Sequence, residues 1–201
     1  MTENTHKIFV TTGASNHTET VRASYDLYTT DPKALEKLLE KRAFNPHIWE
    51  CAAGQGHLSE VLKKHGYKVY STDLNDYGYK GLNAKVNFLS NEVLPQADEG
   101  LLQCDILTNP PYTKALEFVK QGLNVIEKGY NVVMFLRIQF LEGKARRFFF
   151  DKNPPKEIYV FSERIKCTNQ SDPDALKSSA ICYAWFVWEK GFTGDPIIKW
   201  L

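Results

Sequence analysis

From Asp31 onward the chain alternates between apolar residues spaced three and four apart and short continuous apolar runs. The first spacing is that of a helix face and the second that of a buried strand. Residues 31–44, DPKALEKLLEKRAF, put Asp at an N-cap, Pro at the first helical position and Ala34, Leu35, Leu38 and Leu39 on one side. That pattern predicts a helix. Further helices are predicted over 56–66, 113–129 and 142–152, closed by Gly66, Gly129 and the Pro154–Pro155 pair. Seven stretches read as strands: 47–52, 67–74, 84–90, 101–109, 130–138, 156–162 and 180–191.

This alternation predicts a doubly wound α/β fold, with a mostly parallel seven-stranded sheet and helices on both faces. The segment ERIKCTNQSDPDALKSS before the last strand is polar and a poor crossover helix. A loop there lets the last strand run antiparallel near the sheet edge. Residues 1–24 are polar and read as a flexible N-terminal arm. Residues 25–201 read as one Rossmann-like domain. Ligands of such sheets bind beyond the carboxyl ends of the strands.

Composition narrows the function little. Of 201 residues, 43% are apolar and 24% charged, the balance of a globular protein rather than a disordered one. A net charge of +1 predicts no general affinity for nucleic acid or membrane, so any basic surface must be local. No signal peptide and no apolar run of about 18 residues is present. Cys51, Cys104, Cys167 and Cys182 form no C-x-x-C pair. They read as reduced thiols of a cytoplasmic protein. The five histidines show no ligand spacing, and no metal is expected.

The stretch WECAAGQGHL sets Glu50, Gly54 and Gly56 between a strand and its helix. The glycines permit a tight turn and close approach of a ligand to the backbone. Asp73 ends the next strand about twenty residues on, where an acid accepts bonds from ribose hydroxyls. Glu50 at the turn would repel a pyrophosphate but not a cation. Ser59 stands where a dinucleotide fingerprint wants its third glycine. A positively charged nucleoside without phosphates is indicated, and S-adenosylmethionine fits.

DILTNPPY follows as a strand ended by two prolines. An exocyclic amino nitrogen on adenine is a poor nucleophile because its lone pair is delocalised. Two acceptors aimed at its N–H bonds turn the lone pair outward. Asn109 supplies a side-chain oxygen and Pro110 a carbonyl; Pro111 stiffens the corner and Tyr112 can stack on a base. In-line displacement needs neither a metal nor a covalent intermediate.

On these residues the chain resembles the small adenine-specific (amino-group) DNA methyltransferases, particularly the compact kind of phages and prophages, over Tyr25–Leu201. ECAAGQGHL looks like the family's cofactor motif, STDL like its ribose-binding acidic motif and DILTNPPY like its catalytic motif. The resemblance implies cofactor contacts at Tyr25, Thr30, Glu50, Ala52, Gly54, Gly56, Asp73, Leu74, Asn87, Phe88 and Asn109. It implies catalytic roles for Asn109, Pro110, Pro111 and Tyr112. Many relatives carry Asp where this chain has Asn87. RNA adenine and protein glutamine methyltransferases share the motif, and some family members are non-catalytic partner subunits.

For the nucleic acid, Arg137 to Lys166 carries eight basic residues against four acids. Arg137, Lys144, Arg146, Arg147, Arg164 and Lys166 are the expected phosphate contacts. About 90 residues follow the catalytic motif, too few for a separate target-recognition domain. Loops 162–180 and 75–83 are expected to read a short site in double-stranded DNA, with the target adenine flipped out. A monomer or weak homodimer is expected.

Overall fold

The computed structural model describes residues 28–90, 100–165, 167–169 and 181–201. The expected arm, Tyr25, Lys166 and most of the 162–180 loop lie outside them. In chain order the elements are β1 (Tyr28–Thr30), α1 (Pro32–Lys41), β2 (His47–Glu50), α2 (His57–Lys64), β3 (Lys68–Asp73), β4 (Ala84–Lys85) and β5 (Asp105–Thr108). There follow α3 (Ala115–Val125), β6 (Asn131–Arg137), α4 (Lys144–Lys152), β7 (Glu157–Val160), β8 (Cys167–Asn169), β9 (Tyr183–Glu189) and β10 (Ile197–Trp200).

The main sheet runs β10-β7-β9-β6-β5-β2-β3-β4. Every neighbouring pair is parallel except those made by β9, which is antiparallel to both β6 and β7. The order reverses between β2 and β5, so a crevice opens beyond their carboxyl ends.

The expected architecture is therefore present, with eight strands rather than seven. The addition is β10, whose Ile197, Ile198 and Trp200 are all more than half exposed. Four residues with no buried face carry no strand periodicity, so only the pairing with β7 reveals them. β1 and β8 were also not anticipated. They form a separate antiparallel ribbon in which Thr30 opposes Cys167. The 84–90 strand shrinks to two residues and the 101–109 strand to four, with Leu102 making only an isolated bridge to Ile126.

The β6 run shows why the sheet is covered twice. Val132, Met134 and Leu136 face one side; Val133 and Phe135 face the other, and all are buried. The period-two alternation of a strand sends successive side chains to opposite cores. One core joins Val133 and Phe135 to Leu35, Leu38, Leu58 and Leu62 of α1 and α2. The other joins Val132 and Met134 to Phe118 and Val119 of α3. Trp185 Nε1 donates to Ala34 O at 2.9 Å and so satisfies its one polar atom inside the first core.

At the end of the sheet away from the crevice, buried Asp105 holds three segments. Its Oδ1 accepts from the Asn131 backbone at 2.7 Å and from Asn131 Nδ2 at 3.1 Å, and its Oδ2 accepts from Asn45 N at 2.8 Å. Arg42 extends this network to Asn131 and Glu157.

Candidate active site

The register of the central strands builds the site. Ile48 lies beside Asp105 and Trp49 beside Ile106. One residue further on, Glu50 ends β2, and three residues beyond Ile106 the chain reaches Asn109. The glycine turn and the Asn-Pro-Pro corner thus leave adjacent strand ends. Thr108 Oγ1 donates to Ala52 O at 3.5 Å across the gap. Together they border a cleft of about 370 Å³, within the range of small-molecule sites.

Thr30, Glu50, Ala52, Gly54, Asp73, Leu74, Asn87, Phe88, Asn109 and Pro111 all line it. Gly56 does not. It is the N-cap of α2 at φ 83°, and a Cβ there would come within 2.3 Å of the Tyr79 ring. Its lack of a side chain makes room for Tyr79 rather than for a ligand. Tyr79 hydroxyl donates to Glu60 at 2.5 Å and accepts from Lys63 at 2.8 Å, which pins the 74–83 loop to α2.

Glu50 is 1% exposed. Ser59 Oγ donates to its carboxyl, and Ser59 Oγ and Ser71 Oγ share a bond of 2.6 Å. The serine that displaces a third glycine is therefore a hydrogen-bond partner of the acid. Burial pushes the Glu50 carboxyl up to about 8, against the lowering effect of that bond. Burial also raises Asp73, opposed by backbone donors: Asn75 N at 3.0 Å to Oδ1 and Gly54 N at 2.8 Å to Oδ2. Burial, and then the neighbouring Glu50, push the Cys51 thiol well up, which leaves it an inert thiol.

The far end of the cleft is apolar. Phe88 stacks edge-on against Trp49 at 5.1 Å and lies 5.0 Å from Phe118. His57, Asn75, Tyr77, Lys114 and Phe118 also line the cleft and were not anticipated. Asn75 and Tyr77 follow Asp73 closely and Lys114 follows the catalytic corner, so proximity to a motif was the available signal. Phe118 had none beyond its place on a helix face.

The four residues of the corner divide. Asn109 and Pro111 face the cleft, whereas Pro110 is buried and Tyr112 turns toward the β6–β9 side. The Tyr112 ring lies 6.0 Å from Tyr183, and the Arg137 guanidinium sits over it at 5.0 Å. Asn109 Nδ2 donates to Thr30 Oγ1 at 2.8 Å.

The basic residues among the described ones make different contacts. Arg137 does not line the cleft; its guanidinium covers the Tyr112 ring. Arg146 turns inward, donating to the Gln139 and Glu142 carbonyls and lying 5.0 Å over the Phe140 ring. Arg147 pairs with Asp151 at 2.9 Å. Lys144 and Arg147 line a separate groove with residues 193–196, at the distal end of β9. Arg164 lies exposed beside Glu163, which pairs with Lys37.

No protein-family model and no curated protein matches the chain. Solved structures do. A predicted O-methyltransferase from Agrobacterium tumefaciens aligns with a TM-score of 0.58 at 12% identity, covering 85% of each chain. A protein described as a class I S-adenosylmethionine-dependent methyltransferase from Listeria monocytogenes aligns at 0.54 and 14%, covering 85% of this chain. This chain spans 62% of that protein's length. TrmN from Thermus thermophilus aligns at 0.50 and 16%, covering 79% of this chain and 48% of its own. The fold is that of the class I S-adenosylmethionine-dependent methyltransferases. Among the described residues, no helix is long and apolar enough to cross a membrane.

Proposed function

We propose that this chain is an S-adenosylmethionine-dependent methyltransferase acting on the exocyclic amino group of adenine in DNA. One observation carries the reading. An Asn-Pro-Pro corner leaves β5 directly beside the glycine turn and shares a cleft with a buried carboxyl. The donor set fits the cofactor: Glu50 suits a cation, Asp73 a ribose, and Phe88 with Phe118 a planar apolar ring. The Ser59-bonded acid is ill suited to a phosphate.

When bound, the cofactor supplies an electrophilic methyl group. Asn109 Oδ1 and the Pro110 carbonyl accept the two N–H bonds of the acceptor and direct its lone pair out of the ring plane. Asp73 holds the glycine turn that shapes the other side of the cleft. Tyr112 lies outside the cleft, against Tyr183 and Arg137, and would stack on a base, for ~1–3 kcal/mol against the cost of extrusion, only after turning its ring toward the acceptor. The work of the protein is placement and electrostatics.

A protein glutamine amide is the second acceptor to weigh. It presents the same planar nitrogen, and the dispersal of Arg146, Arg147 and Lys144 offers a phosphate backbone little continuous charge. One experiment separates the two. The chain is incubated with methyl-labelled cofactor and, separately, unmethylated duplex DNA, RNA and a glutamine-containing peptide, and products are digested to nucleosides or amino acids. N6-methyladenine from DNA is expected. Label in none of the three overturns the methyltransferase assignment; label in RNA or peptide alone overturns the DNA assignment.

A further inference from the structure

The partner of Asn109 is not suggested by its place in the catalytic motif. Its Nδ2 donates to Thr30 Oγ1 across 79 residues of chain. Thr30 is 3% exposed and lines the same cleft. It is held from both sides. Its backbone pairs with Cys167 in the β1–β8 ribbon, and the next residue, Asp31, caps α1 by accepting from Lys33 N at 3.0 Å. The threonine hydroxyl is therefore a fixed point against which the asparagine amide registers.

That matters because an asparagine amide is nearly symmetrical in shape and opposite in chemistry. Its terminal torsion is broad and two-fold, and the two settings exchange an acceptor oxygen for an NH₂ donor. Only one setting serves a substrate that arrives with N–H bonds. In the other, two NH₂ groups would confront each other.

We propose that Thr30 is a positioning residue for Asn109. By bonding Nδ2 it fixes the side-chain rotamer that turns Oδ1 toward the acceptor nitrogen. The proposal deepens the functional reading above and rests on it, since the setting matters only for an acceptor that carries N–H. It separates Thr30 from the general cofactor contact that the resemblance implies.

Three variants test it. Thr30→Val keeps the shape and removes the acceptor. Thr30→Ser keeps the acceptor. Asn109→Asp removes the amide and serves to assign its signal. Turnover at saturating cofactor and acceptor is expected to fall about ten-fold in Thr30→Val, a factor equal to about 1.4 kcal/mol. Cofactor Kd should move less than about three-fold, and Thr30→Ser should restore turnover.

A readout free of activity accompanies these. In the ¹⁵N-labelled full chain, the Asn109 side-chain amide, identified by its loss in Asn109→Asp, should exchange slowly with solvent in the wild type and rapidly in Thr30→Val. If Thr30→Val does not fold, Thr30→Ala is carried through the same measurements. A ten-fold loss of cofactor affinity with turnover intact would assign Thr30 to the cofactor and overturn the proposal. So would an amide signal indifferent to Thr30. A wild-type chain that labels no acceptor sinks the functional reading and the catalytic consequence together; the amide signal then still decides whether the bond exists.

Discussion

The backbone N–H of Gly54 donates to Asp73 Oδ2 at 2.8 Å. The glycine turn and the acid at the end of the next strand, two separate motifs in the sequence, are thus one structural unit. Asp73 Oδ1 accepts from Asn75 N, so a single carboxylate shapes the turn on one side and starts the 74–83 loop on the other. Asp73→Asn keeps one acceptor and puts an NH₂ against a backbone N–H. The expected result is a loss of about 1–3 kcal/mol in stability, read as a lower Tm, with cofactor affinity weakened by about ten-fold or more in calorimetry.

Glu50 predicts proton release. With its carboxyl pushed up to about 8 by burial, the ligand-free site is mainly protonated at pH 7. A cation entering the cleft favours the carboxylate and expels that proton. Cofactor binding at pH 7, measured in buffers of different ionisation enthalpy, should release nearly one proton. Glu50→Gln should release none through this group and bind more weakly.

The same group sets a stability trend of definite sign. Between its ordinary value of 4.5 and about 8, the folded ligand-free chain holds a proton that the unfolded chain has lost. Stability from this group is therefore fully present below pH 4.5 and is lost as pH rises from there through about 8. Glu50→Gln should raise the Tm of the ligand-free protein at pH 9 by about 4 °C or more, with a much smaller change near pH 4.

Asn109 acts in the transition state if the functional reading holds. Asn109→Ala should lower kcat by about 10²–10³, the scale of a lost electrostatic acceptor, with cofactor Kd within about three-fold of wild type. Unchanged turnover removes Asn109 from the mechanism.

The arginines divide into structural and functional members. Arg146, bonded to two carbonyls of the preceding turn, should lower the Tm when changed to Ala and leave the salt dependence of DNA binding intact. Arg137, over the Tyr112 ring, should instead reduce the slope of log affinity against log salt by about one when changed to Ala. Gel-shift titration at several salt concentrations reads both.

Much of this architecture was legible in the chain. Period-two and period-3.6 patterns place α1, α2, β3 and β6 within a few residues, because each buries a face and must repeat its apolar positions accordingly. The two motifs were legible for a similar reason: a tight turn needs glycine, and a strand must stop at paired prolines. Strand β10 was not, since all its apolar side chains remain exposed. The basic stretch 137–166 left side-chain direction open. Charge counts along a chain say nothing of direction, and Arg146 and Arg147 point to a turn and to Asp151 rather than to a common face.

The sequence by itself determined the helix and strand periods, the order of the elements and the residue types at the two turns, because these depend on neighbours within one or two helical turns. Only the tertiary structure decided that Ser59 bonds Glu50, that Asp73 holds Gly54 and that Thr30 meets Asn109. They pair groups 9 to 79 residues apart, and their meeting follows from how β1, β2, α2, β3 and the corner after β5 are packed together.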